Sequence, residues 1–344
     1  MTAAAAGAND ILQGKLPPDS ITTTLLPETQ AILKLLTEIF QSSTNLSSDT
    51  GITQEKFQAL YKNLREKTSS SPSGRHVGHY KAIALSDNLS HLWAAMMHIP
   101  HLAGFSPQRW QKVEDVIIRK SQGNSKLHRL RIIALQESDF NQGNHLAIGP
   151  PVMHHLEDAK HLPSMQHGSR PAKLCISAVL NKQLQFEIRR YQRRPIAYIE
   201  NDATGCYDRI VNPLVLLFLR KLGVPDNTAK SLSATWDDTA HHIKTMYGVS
   251  EANYKNSLAY FLFGPGQGST IGPLLWLLCF LLIVSSLSKQ TPRMSICSVD
   301  GKTSVRMHGD AFVDDAGLGY TVTSPRSADP ELVRRLTPTA ASQL

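Results

Sequence analysis

Cysteine is scarce in this 344-residue chain, which has four such residues, at positions 175, 206, 279 and 297. No two of them form a Cys-x-x-Cys pair, and their spacing does not match a zinc finger. Small secreted scaffolds depend on closely spaced cysteines that pair as disulfides. The sequence therefore argues against a disulfide framework and predicts a reduced, intracellular protein.

The sequence also has no secretory signal and no long hydrophobic run. Residues 1–6 have neither a basic region nor a long apolar core. The apolar-rich run at residues 273–287 is shorter than the ~20 residues with which a helix crosses a bilayer. We expect this run to form a buried helix, and we expect no membrane partner.

Acidic residues are in the minority, with 28 Asp and Glu against 36 Lys and Arg, which gives a net charge of +8. A basic balance suits a polyanionic partner such as a nucleic acid, although charge alone supports only non-specific binding. Hydrophobic residues make up 41% of the chain, which is enough for a packed core and excludes the disordered class.

Two adjacent carboxylates, Asp314 and Asp315, lie in the middle of a stretch of β-favouring and small residues at 310–320. Neighbouring side chains on one strand point to opposite faces, so we expect this pair at the tip of a hairpin, where both can reach a common site. Their repulsion is relieved by a cation, and Mg²⁺ prefers carboxylate oxygens and substrate phosphates. The simpler interpretation is a solvated Asp-Asp turn, because such turns are common.

Two other stretches carry polar residues in a recognisable order. Residues 196–208 contain a short apolar strand that ends in acids, followed by an aromatic residue and another acid. The residues concerned are Asp202, Tyr207 and Asp208. Residues 264–276 form a Gly-rich loop, with Gln267 and Gly268 at its centre, that runs into an apolar helix.

In this order, the three stretches resemble motifs A, B and C of reverse transcriptases, most closely those of non-LTR retroelements. Motif A is an Asp, four residues, an aromatic and an Asp, as in residues 202–208. Motif B has Gln-Gly before Ser-Pro or Gly-Pro, as in residues 267–273. Motif C is an aromatic residue, any residue and two Asp, as in residues 312–315.

A basic hairpin is predicted upstream, over residues 110–141, as a strand, a Gly-containing turn and a second strand. Seven Lys and Arg stand against two acids between Arg109 and Arg131. The segment resembles the fingers hairpin of the family, in which a Lys before the turn and an Arg on the second strand meet the triphosphate. Lys120 and Arg131 match those positions, although Ile132 replaces the frequent Pro. Without the resemblance, a solvated basic hairpin explains the pattern.

Residues 166–171 resemble the Gln-x-Gly-x-Arg segment that precedes the palm helix in the family, and we expect that helix over 174–194. The resemblance implies an α+β fold with right-hand polymerase fingers and palm, in which helices back an antiparallel palm sheet. The thumb is apparently missing, because few residues follow the last motif. We expect a lead-in over residues 1–50, a reverse transcriptase-like region over 51–323 and a truncated tail over 324–344.

The resemblance also implies the roles of the site residues. Asp202, Asp314 and Asp315 are the expected catalytic residues and ligands of two Mg²⁺ ions, with Mn²⁺ as an alternative. The expected nucleotide-binding residues are Lys120, Arg131, Tyr207, Gln267 and Gly268. Of these, Tyr207 excludes a 2′-hydroxyl, Gln267 positions the templating base or the nucleotide, and Gly268 lets the backbone approach nucleic acid closely.

The expected activity is the transfer of deoxynucleotides from dNTPs to a nucleic-acid primer on an RNA template. A nuclear location follows from the resemblance alone, and the sequence does not indicate an oligomeric state. Two alternatives stay open: an RNA-dependent RNA polymerase, and an inactive retroelement remnant that binds RNA. Because the family's thumb and primer grip lie beyond motif C, we expect a fragment with little processive activity.

Three helices are expected elsewhere. They cover residues 27–41, residues 53–67 with Thr53 as N-cap, and residues 228–245. In the last of these, Asp237 and His241 are spaced for one helix face and could bind a metal, but we interpret the segment as an ordinary helix.

Overall fold

The computed structural model describes most of the chain. The described residues are 3–12, 14–40, 46, 50–67, 71–120, 123, 126, 130–193, 196–203, 205–257, 261–290, 293–298 and 302–320. The predicted tail at 324–344 lies outside them. Helices combine with antiparallel and mixed sheets, which confirms the α+β class.

Twelve helices and nine strands are described. The helices are α1 (Ala3–Leu12), α2 (Asp19–Thr22), α3 (Pro27–Ile39), α4 (Gln54–Asn63), α5 (Val77–Ala84), α6 (Asp87–Ala103), α7 (Ser138–Ala147), α8 (Gly149–Asp158), α9 (Cys175–Tyr191), α10 (Asn212–Lys221), α11 (Asp226–Asp238) and α12 (Gly272–Gln290). The strands are β1 (Lys112–Arg119), β2 (Leu130–Leu135), β3 (Ala197–Asp202), β4 (Ala240–Thr245), β5 (Gly248–Lys255), β6 (Met294–Cys297), β7 (Ser304–Met307), β8 (Gly309–Phe312) and β9 (Asp315–Tyr320).

The chain forms two compact units, and each is built from two separate segments. The first unit contains Met1–Ala159 and Tyr207–Leu275, and the second contains Lys160–Cys206 and Trp276–Leu344. The predicted division into lead-in, central region and tail is a different kind of boundary, and it stays a prediction.

The predicted helices at 27–41 and 53–67 are confirmed as α3 and α4, each shorter at its C-terminus than expected. Thr53 caps α4, because its hydroxyl accepts a hydrogen bond from the backbone of Lys56 at 3.3 Å. In the first unit, the rings of Tyr61 and Tyr80 stack with centroids 4.9 Å apart and are fully buried between α4 and α5. These aromatic contacts fix the helical layer.

Arg109 holds two buried acids of the first unit. Its guanidinium donates to Glu137 at 2.7 Å and to Asp139 at 2.9 Å. Asp139 also accepts from the Trp110 indole at 3.1 Å, and Glu137 accepts from the Ser73 backbone at 2.8 Å. This network, called the Arg109 network below, ties the start of β1 to the start of α7.

The sheet of the first unit has the strand order β2-β1-β4-β5. β1 and β2 form the predicted hairpin, and Asp115 lies opposite Ala134. β1 and β4 are parallel, and Val113 lies opposite His241. Asp115, Ala134 and His241 therefore point to the same face of the sheet.

The single helix predicted over 228–245 is wrong. α11 ends at Asp238, and β4 begins at Ala240. Thr239 adopts ψ 126°, which leaves the helical region, and the Met246-Tyr247 turn brings β5 back against β4. Asp237 and His241 thus lie on different elements and do not share a helix face.

The second unit is centred on an antiparallel sheet of order β3-β9-β8. The helix predicted over 174–194 is confirmed as α9, and β6 pairs with β7 in a separate hairpin. All four cysteines are described, and none forms a disulfide.

The apolar run at 273–287 lies within α12, as expected. Leu275 and Leu278 of this helix are completely buried. By length and composition α12 could also cross a membrane, with a mean hydropathy of 1.7, but 56% of that window is buried. Core helices of globular proteins satisfy the same criteria, so burial supports the interpretation as a core helix.

Candidate active site and nucleotide-binding surface

The two adjacent acids lie at the tip of a hairpin, as the sequence predicts. β8 ends at Phe312, β9 begins at Asp315, and these two residues are register partners across the turn. Val313 and Asp314 form the two-residue turn. Val313 has φ 59°, a left-handed conformation that is costly for a β-branched residue. The surroundings must therefore hold the turn in place.

Gln166 holds the turn by clamping both backbone groups of Val313. Its Oε1 accepts from the Val313 amide at 2.9 Å, and its Nε2 donates to the Val313 carbonyl at 3.0 Å. The same carbonyl accepts from the indole of Trp276 at 2.7 Å. Because Gln166 is completely buried, these bonds do not compete with water.

The segment around Gln166 extends this contact. The His167 amide donates to the Ala311 carbonyl at 2.8 Å, next to the bridge between Gln166 and Ala311. A Cβ at position 168 would overlap the backbone of Val313, so only glycine fits there. The Gln-x-Gly spacing seen in the sequence thus has a structural reason.

The third predicted carboxylate, Asp202, lies beside the hairpin. β3 pairs with β9 so that Asp202 is directly opposite Asp315, and the Ala203 amide donates to the Asp314 carbonyl at 3.3 Å. Opposite residues of an antiparallel pair have Cβ atoms roughly 5 Å apart on one face of the sheet. The structure therefore brings the three predicted catalytic aspartates together at one end of the sheet.

The charges of this group repel one another. Partial burial raises the pKa of Asp315 above its ordinary value, and the negative charges of Asp314, Asp202 and Glu200 raise it further. Within the described part of the chain, Asp202, Asp314 and Asp315 pair with no Lys or Arg side chain. The group is thus a concentration of negative charge that no Lys or Arg side chain of the described residues neutralises.

Carboxylate oxygens are suitable ligands for Mg²⁺, so the chemistry of the group fits this ion. Among the described residues, no three His, Cys, Asp or Glu side chains form a ready-made metal cage. Mg²⁺ does not need such a cage, because it commonly keeps several waters and binds one or two carboxylates together with substrate phosphates. Asp202, Asp314 and Asp315 are the residues that would hold it.

A cavity of about 450 Å³ opens beside Asp202 and Asp315, and Lys182, Glu200 and Asp310 also contribute to its lining. The ammonium group of Lys182 forms a salt bridge with the Glu200 carboxylate. Asp310 is buried, which raises its pKa, and it accepts a hydrogen bond from Gln185. Sequence reasoning missed Asp310. Its one signal was an acid in an otherwise apolar strand.

The five candidate nucleotide-binding residues belong to the first unit, and the three aspartates belong to the second. Lys120 directly follows β1, and Arg131 lies on β2 opposite Ile118. Both cationic side chains are exposed, as binding a phosphate requires.

The Gly-rich loop is fixed against β2. The Gln267 carbonyl accepts from the Ala134 amide at 2.7 Å. Gly268 has φ 125°, and a Cβ there would lie 2.6 Å from the Ala134 carbonyl oxygen. This close approach of two backbones explains why glycine occupies position 268.

Tyr207 and Asp208 lie in a short 3-10 helix, Cys206–Arg209. The Gln267 amide is 3.4 Å from the Asp208 carboxylate. Burial raises the pKa of Asp208, against the opposing effects of the Gln267 hydrogen bond and the Lys120 charge. Tyr207 is half-buried, and its ring packs near the backbone of Gly272. Tyr207, Asp208, Gln267 and Gly268 therefore form one surface of the first unit.

Comparison with known proteins adds no assignment: no protein-family model matches the chain, and no curated protein matches it.

Proposed function

We propose that this protein is an RNA-directed DNA polymerase domain of the non-LTR retroelement type. The observation that carries the proposal is the placement of Asp202 opposite Asp315, with Asp314 in the adjoining turn and no described Lys or Arg paired with them. Acids arranged in this way on neighbouring strands suit nucleotidyl transfer, which uses two metal ions to hold the attacking and leaving oxygens.

In this assignment β1 and β2 are the fingers hairpin, and β3, β8 and β9 form the palm sheet. Asp202, Asp314 and Asp315 would hold Mg²⁺ or Mn²⁺ together with the substrate phosphates. When bound there, such ions would supply Lewis acidity for the attacking hydroxyl and the leaving pyrophosphate. Gln166 keeps the acids in position through Val313.

The residues of the first unit bind and orient the nucleotide. Lys120 and Arg131 hold the triphosphate by charge-assisted hydrogen bonds. Tyr207 packs against the sugar and leaves no room for a 2′-hydroxyl. Gln267 positions the base, and the glycine at 268 allows the backbone to approach the nucleic acid. The partners are an RNA template, a primer and dNTPs, and the proposed location is the nucleus.

Single-nucleotide primer extension on an RNA template with Mg²⁺ tests this function. We expect wild-type protein to add one deoxynucleotide, and we expect Asp202→Asn and Asp314→Asn each to lose activity by about 1,000-fold. Asp158→Asn is the charge-matched control, because this exposed acid at the end of α8 takes no part in the site.

Each outcome of the assay has a clear meaning. Extension that survives Asp202→Asn would contradict the assigned metal ligands. No extension by wild-type protein that still binds RNA would favour the inactive remnant. Efficient use of ribonucleotides by wild-type protein would favour an RNA polymerase, whereas the proposal expects ribonucleotides to be accepted only after Tyr207→Ala.

A further inference from the structure

A second cavity, of about 290 Å³, lies entirely within the first unit. Its floor is one face of the sheet, and its wall includes residues 261–267 of the Gly-rich segment. Ala134 lines the cavity, and Arg131 is three positions away on the same strand, so their side chains point to opposite faces. The cavity is therefore on the other side of the sheet from Arg131, the proposed triphosphate contact.

A buried carboxylate forms the centre of the floor. Asp115 is only 3% exposed, and its Oδ2 accepts from the Tyr254 hydroxyl at 2.5 Å. The same oxygen is 3.0 Å from Nδ1 of His241. The rings of His241 and Tyr254 stack with centroids 5.0 Å apart, which keeps both in place. One oxygen of Asp115 is thus held by the protein, and Oδ1 takes part in neither contact.

A second acceptor in the lining lacks a donor. The Gln136 amide donates from Nε2 to the Pro265 carbonyl at 2.9 Å, which fixes the orientation of the group. Its Oε1 is buried and has no hydrogen-bond partner among the described residues. Because a buried acceptor without a donor is costly, a ligand with N–H groups would satisfy an unmet requirement here.

The lining combines negative charge with aromatic surface. Asp115 and Asp208 both contribute to it, and its described residues include no Lys or Arg. Aromatic rings supply much of the remaining wall, at Trp236, Tyr254, Phe261 and Phe263. Aromatic faces attract cations, and planar cations most of all, because they can also stack.

We propose that this cavity binds a planar organic cation, an amidinium or a guanidinium group, with its N–H donors on Asp115 and Gln136 and its face against the aromatic wall. The cavity adjoins the nucleotide-binding surface through Asp208 and Gln267, and the proposed ligand goes beyond the polymerase function. The cation comes from either a small molecule or an arginine side chain of a peptide, since both present the same planar donor group.

Titration with benzamidine, followed by isothermal calorimetry, tests the binding. We expect a submillimolar dissociation constant for benzamidine and at least tenfold weaker binding of benzamide, which has the same shape without the charge. Benzylamine carries a compact ammonium group and should also bind at least tenfold more weakly. Equal binding of benzamide or benzylamine, or no binding of benzamidine, would overturn the proposal.

Three variants locate the site. Asp115→Asn should weaken benzamidine binding at least tenfold, and Phe263→Leu should weaken it severalfold. Phe263 is half-exposed at the cavity, so we expect its replacement to leave the fold intact. Glu251→Gln, an exposed acid on β5 outside the lining, removes the same charge and should change nothing.

Unchanged binding in both Asp115→Asn and Phe263→Leu would place benzamidine elsewhere and overturn the proposal. If circular dichroism shows that Asp115→Asn is unfolded, the benzamidine affinity of Phe263→Leu decides the test. A blocked arginine amide separates the two sources: binding as tight as that of benzamidine indicates a peptide side chain, and binding tenfold weaker indicates a small molecule. The benzamidine test does not measure primer extension. A negative result in the polymerase assay therefore does not affect its outcome.

Discussion

Two groups of acids in this protein show opposite solutions to the same electrostatic problem. In the Arg109 network, Glu137 and Asp139 are buried around one guanidinium that donates to both. At the hairpin tip, Asp202, Asp314 and Asp315 are brought together, and no Lys or Arg side chain of the described residues pairs with them.

The difference indicates which group is structural and which is available for chemistry. A buried acid with its counterion and hydrogen bonds in place is costly to disrupt, because removal of one partner leaves the other buried and unpaired. Acids that repel one another at a surface contribute little to stability, but they offer oxygen ligands to a cation from outside. Removing an acid should therefore destabilise the fold strongly in the Arg109 network and only slightly at the hairpin tip.

The largest expected effect on stability comes from the Arg109 network. Asp139→Ala removes one of the two acceptors of Arg109 and the acceptor of the Trp110 indole, so we expect the free energy of unfolding to fall by about 3 kcal/mol. Urea denaturation measures this change. Asp202→Asn is the comparison, and we expect it to leave stability within about 0.5 kcal/mol of wild type. Equal losses in the two variants would remove the distinction between the groups.

Mg²⁺ should stabilise the folded protein through the hairpin acids. At a Mg²⁺ concentration ten times the dissociation constant, the expected gain is about 1.4 kcal/mol. Thermal denaturation with and without Mg²⁺, at constant ionic strength, measures it. Asp202→Asn should lose the gain, whereas Asp158→Asn should keep it. The same gain in Asp202→Asn would mean that the ion binds elsewhere.

The smallest expected effect is a pH dependence from Asp315. Its pKa is raised in the folded state, so the folded protein binds this proton more tightly than the unfolded chain does. The resulting stabilisation is complete below the ordinary Asp pKa of ~3.9 and is lost as the pH rises through the folded value. Because Asp315 is exposed, we expect the loss to be below ~0.5 kcal/mol.

Unfolding free energies measured over this pH range, for wild type and Asp315→Asn, test the effect. The difference between the two proteins should change with pH in the stated direction. It should be smaller in an Asp202→Asn background, because one of the charges that raise the pKa is gone. An identical pH profile for wild type and Asp315→Asn would show that the acids do not interact.

Local patterns predicted much of this fold. The basic hairpin, the Asp-Asp turn, α4 with its Thr53 cap and the buried α12 depend on residues close in sequence. The prediction of a single helix over residues 228–245 was wrong. Asp237 and His241 have helical spacing, but spacing alone does not show where a helix ends. Ile243 and Thr245, both β-branched, and the glycine at 248, directly after the turn, were the signals that favoured strands.

The contacts between distant segments could not be predicted from the sequence. The pairing of Asp202 with Asp315 joins residues more than a hundred positions apart, and so does the clamp of Gln166 on Val313. Asp115, His241 and Tyr254 come from three strands, two of which follow the first after a long interval. Such groupings depend on strand order, which a single sequence does not encode in any local pattern.

The alternation of chain segments between the two units has a consequence for folding during synthesis. The chain passes from one unit to the other at residues 159–160, 206–207 and 275–276. The first unit therefore lacks β4, β5 and α11 until the ribosome has made most of the chain. A ribosome that stalls near residue 160 would release a β1–β2 hairpin with an unpaired strand edge, a substrate for chaperones and proteases.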